Sequence, residues 1–350
     1  MLRRCEVRGK RIVTTKKGAA RPRIIVGATD AVAIGRNEGQ RLVDCLASLN
    51  RAGMRRIVYV DSGSSDGSTL AAEAAGAQVI ALDMDRPFTA ARARNAGLAA
   101  ILARDRVPEY VHFIDGDCVL QPDWLALARG FLDSHTEAVV ACGRRRERHP
   151  QVSVFNRLCD VEWNTPAGQA LACGGDALMR VTALEAVGGY REDLIAGEEP
   201  ELCLRLRRAG GQVWRLEGEM TLHDAAMTRL SQWWRRTRRA GYAFAEGAAL
   251  HGAPPDRHWV AETRRALIWG ALLPLVILLA LFVSPPLALL LVLAYPAQVL
   301  RLAARRGLSQ RLSWEVAGFT VLGKFAEAQG VISYWLNRLR GRRGGLIEYK

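Results

Sequence analysis

The sequence lacks the features that define several broad protein classes. None of its seven cysteines (Cys5, Cys45, Cys118, Cys142, Cys159, Cys173, Cys203) stands in a C-x-x-C pair. That spacing excludes a zinc ribbon, the low density excludes a disulfide scaffold, and the scatter predicts free thiols in a reducing compartment. No apolar core follows Met1, so residues 1–23, rich in Arg and Lys, are read as a disordered basic tail, or as the product of a start codon placed too early, and not as a secretory signal. Acidic residues are few for the basic ones present, 35 Asp and Glu against 49 Lys and Arg, for a formal charge of +14. A surplus of that size predicts an anionic partner: nucleic acid, a nucleotide or an acidic lipid. Long disorder is excluded, because 49% of the 350 residues are hydrophobic and the chain is long enough for one large domain or two ordinary ones.

From Ile24 to about Met220, short apolar runs alternate with helical spacings. Ile24 to Ile34 leads into Gly35-Arg36-Asn37-Glu38-Gly39, and residues 41–52 place Leu42, Val43, Leu46 and Leu49 on one helical face. Ile57-Val58-Tyr59-Val60 stops at Asp61-Ser62-Gly63-Ser64-Ser65-Asp66-Gly67. A helix over 68–75, a strand over 77–80 and a helix over 88–103 follow, then Tyr110-Val111-His112-Phe113-Ile114 ends at Asp115-Gly116-Asp117. This alternation predicts an α/β fold with a mainly parallel sheet and helices on both faces. Ligands of such sheets bind beyond the carboxyl ends of the strands.

Residues 266–300 contain no charge at all. One membrane helix needs roughly 20 apolar residues, so 35 residues broken at Ser284-Pro285-Pro286 predict two tightly joined helices. Arg264 and Arg265 precede the run, and Arg301, Arg305 and Arg306 follow it. Cationic flanks at both ends predict that both face the cytoplasm, as a spanning or a re-entrant hairpin would require; a buried hairpin of a soluble domain is the rival. Residues 310–343 repeat Phe319, Leu322, Phe325, Ile332, Leu336 and Leu339 and end in Arg338, Arg340, Arg342 and Arg343. That pattern predicts an amphipathic interfacial helix with cationic anchors, or a core-packing one. The boundaries expected are a tail at 1–23, an α/β domain at 24–245, a linker at 246–265, the hairpin at 266–300 and a basic amphipathic region at 301–350.

Asp115-Gly116-Asp117 is the sharpest local signal. Two carboxylates at a strand end, separated by Gly, can converge on a hard divalent cation, Mg²⁺ or Mn²⁺, of the kind often shared with a diphosphate. Asp61 and the hydroxyls of its loop suit a nucleobase or ribose, and they also suit helix capping. Arg36-Asn37-Glu38 and Arg94-Asn95 add polar groups at the same rim, where Arg is a natural phosphate partner.

Taken in order, Arg36-Asn37-Glu38, Val60-Asp61-Ser62-Gly63-Ser64-Ser65-Asp66-Gly67-Ser68, Ala93-Arg94-Asn95-Ala96-Gly97 and Asp115-Gly116-Asp117 resemble glycosyltransferase family 2 over about residues 24–245. The resemblance implies the GT-A fold, Rossmann-like, with a nucleoside-diphosphate sugar bound across the strand ends. It implies that Arg36, Asn37, Glu38, Asp61, Ser62 and Gly63 hold the nucleoside, and that Arg94, Asn95 and Asp115 face the diphosphate sugar. Cys173-Gly174-Gly175-Asp176 is similar to the family's glycine-rich segment, so Gly175 and Asp176 are expected to line the sugar and acceptor. Gly197-Glu198-Glu199-Pro200-Glu201 is similar to the acidic motif whose second acid is the general base. Glu199 falls on that position, where the family more often has Asp, and Glu198 is its rival; all three acids also suit a helix N-terminus. His223 matches a third contact beside Asp115 and Asp117 for Mn²⁺ or Mg²⁺. Gln232-Trp233-Trp234-Arg235-Arg236 departs from the family's processive motif, because Trp precedes Arg and none follows.

The expected activity is inverting, single-displacement transfer of a sugar to a hydroxyl of a lipid-linked or cell-surface saccharide, on the cytoplasmic face of the plasma membrane, in polysaccharide assembly. Two alternatives are transfer to a polyprenyl phosphate, which needs no strong base, and a degenerate membrane-anchored binding protein that holds lipid. Nucleic acid is not expected as a partner, because acidic residues gathered at strand ends repel a polyanion.

Overall fold

The computed structural model describes residues 23–342, so all but Arg23 of the expected basic tail, and Arg343 of the C-terminal cluster, lie outside the described residues. The first half is built from β1 (Arg23–Gly35), α1 (Gln40–Arg51), β2 (Arg56–Asp61), α2 (Ser68–Ala74), β3 (Gln78–Ala81), α3 (Ala90–Leu102) and β4 (Arg106–Asp115). The β-branched and aromatic runs form the strands, and the apolar face of α1, at Leu42, Cys45, Leu46 and Leu49, is fully buried. Next come β5 (Cys118–Leu120), α4 (Trp124–Ser134), β6 (Ala138–Glu147), α5 (Val154–Glu162), β7 (Gly168–Ala170), β8 (Ala177–Arg180), α6 (Val181–Val187), α7 (Glu198–Arg208) and β9 (Gln212–His223).

The strands form one mixed sheet in the order β3-β2-β1-β4-β8-β6-β9-β5, with β7 also paired to β9. The β3-β2-β1-β4 half is parallel, as the alternation of strands and helices predicts. Beyond β4 the sheet turns mixed: β8 runs antiparallel to β4 and β6, β6 and β9 are parallel, and β5 and β7 oppose β9. The α/β class therefore holds, with one half of the sheet wholly parallel and the other mixed. Register decides where the chemistry collects. Gly35 lies opposite Asp61, and Ile34 opposite Asp115, so three carboxyl ends finish at one level. His223, the last residue of β9, pairs with both Cys118 and Glu147. The core sits on the two sheet faces. At Gly97 of α3 a Cβ would lie 2.4 Å from Val32 Cγ1, so only Gly lets α3 seat so closely on the sheet.

Seven helices follow or include the C-terminal region: α8 (Leu230–His251), α9 (Val260–Leu267), a π-helical turn (Ile268–Leu272), α10 (Leu273–Val283), α11 (Pro285–Val292), α12 (Ala294–Arg306) and α13 (Arg311–Leu339), the turn counted with the rest. The segment expected as a linker, 246–265, thus holds the end of α8 and most of α9. Val260–Val283 and Pro285–Arg306 are each long and apolar enough to cross a membrane, and only 11% of each apolar window is buried. They meet at Ser284, whose extended backbone (φ −155°, ψ 92°) breaks the helix where Pro285-Pro286 cannot continue it.

The C-terminal helix α13 packs against α8 and α12. Its small residues, among them Ala317, Ala326, Ala328 and Gly330, are buried, and its Leu322, Ile332, Leu336 and Leu339 are exposed. Val321, Val331 and Tyr334 are buried beside the small residues. α8 and α13 touch backbone to backbone: a Cβ at Gly241 would lie 2.0 Å from the Glu327 carbonyl, and one at Gly330 would lie 2.1 Å from the Arg238 carbonyl.

Candidate active site

The site lies where β4, β6, β9 and the N-terminus of α7 converge. Asp115 ends β4 and receives two guanidinium groups. Arg94 Nη2 donates to its Oδ1 at 2.8 Å, and Arg145 Nη2 donates to its Oδ2 at 2.9 Å. Partial burial opposes ionisation, but the two arginines hold the Asp115 carboxyl below the usual range. Its side chain keeps 29% of its exposure, so it still faces the open rim.

Arg94 also binds the acidic start of α7. Its Nη1 lies 2.8 Å from Glu198 Oε1 and 3.1 Å from Glu199 Oε1. Three carboxylates share one guanidinium that is itself only 2% exposed. Burial first, and then Glu198 beside it, push the Glu199 carboxyl up to about 7 against the pull of Arg94. A carboxyl at that value exchanges its proton near neutral pH, as a general base requires. Gly175 packs against all three groups: a Cβ there would lie 2.8 Å from Asp115 Oδ2, 3.0 Å from Arg94 Nη2 and 3.3 Å from Glu199 Oε1.

A second cluster stands behind the first. Asp117 Oδ2 lies 3.3 Å from His223 Nε2, and Cys118 Sγ falls within 4.8 Å of both. Burial first, and then Arg145, push the His223 imidazole down, which keeps it neutral and able to act as a ligand. Its buried Nδ1 has no hydrogen-bond partner, with Glu147 Oε2 nearest at 3.7 Å. Burial pushes the Cys118 thiol up, and Arg145 Nη2 already reaches its sulfur at 3.0 Å. The donor set is therefore carboxylate and imidazole without thiolate, which fits Mn²⁺ or Mg²⁺ better than zinc. Asp115 does not join this cluster; it groups instead with Cys118 and Asp176.

The remaining candidates divide by exposure. Asp176 is fully buried and accepts from the Asp115 amide at 3.1 Å and the Thr221 hydroxyl at 2.7 Å, so its carboxylate braces the site from inside. Asp61 accepts from the Tyr59 hydroxyl and from the Gly63 and Ser64 amides, which fixes the loop after β2. Asn37, in the left-handed region at φ 54°, ties the first loop to the second: its amide donates to Ser64 Oγ, and its side chain accepts from the Ser65 amide. Glu38 pairs with Arg41, Ser62 is buried, and Arg36 stays exposed on the same rim. Asn95 clamps both the amide and the carbonyl of Tyr190, a loop-holding role.

Arg145 has no counterpart among the sequence candidates. It bridges Asp115, Cys118 and Asp176 and lies 5.1 Å over the Trp163 ring. Its signal was faint: Arg144-Arg145-Arg146 reads as a solvated run, although it ends a strand whose residues 138–142 are apolar.

Between the start of α3, the loop before α7, α8 and α13, a cavity of about 380 Å³ is lined by Arg86, Thr89, Glu192, Glu246, Tyr334 and Arg338, among others. Burial, and then Asp193, push the Glu246 carboxyl up to about 7.

Residues 32–183 match the model of glycosyl transferase family 2. A pre-mycofactocin glycosyltransferase of Mycobacterium tuberculosis is 27% identical over 230 residues, covering 59% of this chain and 47% of that protein. The chain thus spans about half the length of the curated relatives it matches. Mannosyltransferase PcManGT from Pyrobaculum calidifontis, solved with GDP-Man and Mn²⁺, shares the fold at a TM-score of 0.58 and 18% identity, over 89% of this chain and 88% of that one. Glucosyl-3-phosphoglycerate synthase of M. tuberculosis aligns over 65% and 81%, with a TM-score of 0.47 and 17% identity. The matched segment carries Asp61, Arg94, Asp115 and Asp117 on the parallel half of the sheet, and by it residues 32–183 are similar to glycosyl transferase family 2, within a domain of GT-A fold.

Proposed function

We propose that the domain transfers a sugar from a nucleoside-diphosphate sugar to a hydroxyl of a lipid-linked or cell-surface saccharide, with inversion and in a single displacement. One observation carries the reading: the Glu199 carboxyl, pushed up to about 7, stands on the same Arg94 that orients Asp115. Glu199 takes the proton of the acceptor hydroxyl as that oxygen attacks the anomeric carbon. Glu198, on the same guanidinium, keeps the base beside Asp115 and raises its proton affinity. The loops of Asn37 and Asp61 support the nucleoside, and Gly175 leaves room for the sugar.

Charge balance supports metal dependence. Arg94 and Arg145 are already paired to Asp115, Glu198 and Glu199, so neither adds free positive charge for a diphosphate. Asp117 and His223 are the residues that would hold Mn²⁺ or Mg²⁺, with Glu147 behind the imidazole. A bound divalent ion supplies charge that stabilises the leaving diphosphate.

The acceptor side rests on the cavity beside α13 and on the apolar helices. Cationic ends on both sides of the hairpin support anchoring at the cytoplasmic face of the plasma membrane. The test is a thermal-shift panel of nucleoside diphosphates and their sugars, with Mn²⁺, Mg²⁺ or chelator, on wild type and Asp117→Asn in detergent. A shift with one nucleotide, lost on chelation and lost in the variant, is expected. Chelator-insensitive binding would remove the metal from the reading, and no binding to any nucleotide would remove the transferase.

A further inference from the structure

Away from the transferase site, a second cavity of about 400 Å³ lies between α9, α12 and α13. None of its lining residues belongs to the sheet domain. Four are cations: Arg265, Arg301, Arg305 and Lys324. Trp269 and Leu302 give it an apolar floor. Arg301 and Arg305 are one helical turn apart, so both project from one face of α12. Arg265 pairs with Glu262 at 2.6 Å, and Lys324 with Glu327 at 2.6 Å. No carboxylate pairs with Arg301 or Arg305 among the described residues. Two unneutralised guanidinium groups therefore converge on a cleft that is apolar beneath.

The walls are built, not incidental. A Cβ at Gly270 would lie 1.9 Å from the Lys324 carbonyl, so the π-helical turn and α13 meet backbone to backbone. The Tyr295 hydroxyl donates to the Trp269 carbonyl at 2.8 Å, which ties α12 to the same turn. Leu272, Leu275 and Val276 are exposed within two turns of Trp269, so the cleft sits at the level where the apolar helices give way to arginines.

We propose that this cleft binds the headgroup phosphate of an anionic membrane phospholipid, with an acyl chain against the apolar helices. The inference rests on reading those helices as membrane-embedded. Guanidinium suits a phosphate diester, and basic pockets between membrane helices on the cytoplasmic side take such headgroups. The apolar floor and flanking leucines favour a lipid over free phosphate, whose solvation they would not replace.

The test uses the full chain in detergent, titrated with phosphatidylglycerol or phosphatidylcholine of identical acyl chains and read by native mass spectrometry. Phosphatidylglycerol is expected to bind at least tenfold tighter. Each cation near an anionic lipid is worth about fivefold in affinity, so Arg301→Gln with Arg305→Gln should lose on the order of 25-fold, while Arg301→Lys with Arg305→Lys retains most of the preference. Equal binding of the two lipids, or an undiminished preference in the double Gln variant, overturns the proposal. Displacement of phosphatidylglycerol by millimolar inorganic phosphate overturns the lipid source and leaves a free-phosphate site. If the double variant does not fold, each single variant reads the same quantity at about fivefold. Donor-nucleotide binding is measured in the same samples: its retention confines a failure to the lipid cleft, and its loss in wild type points to the transferase reading instead.

Discussion

Replacing Glu199 with Gln should make the protein more stable and less active, and the structure sets the size of each effect. Asp115, Glu198 and Glu199 present three carboxylates to Arg94 and Arg145. Moving the Glu199 carboxyl from its ordinary 4.5 to about 7 corresponds to about 3 kcal/mol against its ionised form, at about 1.4 kcal/mol per unit. Glu198 relaxes toward the vacated place on Arg94, so a gain of about 1–3 kcal/mol is expected for the neutral isostere above pH 7. The folded protein keeps this proton until about pH 7, whereas the unfolded chain releases it from about 4.5. The unfolded state thus binds fewer protons between these values, and wild-type stability falls as pH rises through the window, then levels. Glu199→Gln escapes that loss. Melting curves in chelator should coincide at pH 4 and separate up to pH 8, where the variant melts roughly 2–12 °C higher at about 2–4 °C per kcal/mol. Transfer to a hydroxyl acceptor should fall by about 10²–10⁴-fold with donor binding intact, the range for loss of a general base. A variant less stable than wild type at pH 8 would refute the electrostatic argument. Full transfer activity would refute the base and favour a phosphate acceptor or Glu198.

Three other substitutions probe separate parts of the construction. Gly175→Ala forces Asp115 and Arg94 apart by a few tenths of an ångström or more and should lower kcat about 10–100-fold in a protein whose circular dichroism is unchanged; unchanged kcat would show that the segment is not at the reaction centre. Arg145→Met leaves the fully buried Asp176 without its ion pair and should destabilise by about 3 kcal/mol in urea titration, with Asp115 freed and donor affinity reduced; Arg145→Lys should not restore affinity, because one ammonium cannot span Asp115, Cys118 and Asp176. Gly241→Leu places a side chain against the Glu327 backbone and should release α13 to limited proteolysis while donor-nucleotide binding persists, an outcome reversed if the helices and the sheet domain fold as one unit.

The parallel half of the fold was legible because its signals are local. Ile57, Val58, Tyr59 and Val60 form an unbroken apolar run that is buried throughout, Leu42, Leu46 and Leu49 repeat at helical spacing, and β1, β2 and β4 each end at a polar Gly-bearing loop. The mixed half was not legible. β8 has four residues and β7 three, too few for a period, and their pairing with β4 and β9 is decided by contacts distant in sequence. The hairpin was visible as an absence of charge. The packing of α13 was half visible: of the large residues that announce an amphipathic helix, Phe319 and Phe325 pack on neighbouring rings while Leu322, Ile332, Leu336 and Leu339 are left exposed, and the glycines and alanines that dock it on α8 carry little hydrophobic signal.

The site shows the same division between identity and assignment. Residue types at a strand end marked Asp115 and Asp117, the family resemblance marked Glu199 and His223, and the register of β9 against β5 and β6 brings His223 to Asp117. What spacing does not carry is which partner each group takes. Asp115 and Asp117 are two residues apart, and the natural inference is a shared cation; in the structure Asp115 turns to Arg94 and Arg145 while Asp117 turns to His223. Arg94, expected as a free cation beside a diphosphate, is consumed by three carboxylates, and Asp176, expected at the sugar, is sealed behind Asp115. Both departures have one cause. A buried carboxylate needs a counter-charge or donors within reach, and Arg145, which enters from a strand some 30 residues away in sequence, supplies it to Asp115 and Asp176 together. With Arg145 in place, Asp115 is held by arginines from two elements, and Asp117 and His223 stand as a separate pair. The two acids of Asp115-Gly116-Asp117 therefore belong to different electrostatic environments, and their substitutions should separate: Asp117→Asn acts through metal-dependent binding, Asp115→Asn through the alignment of Arg94 with Glu199.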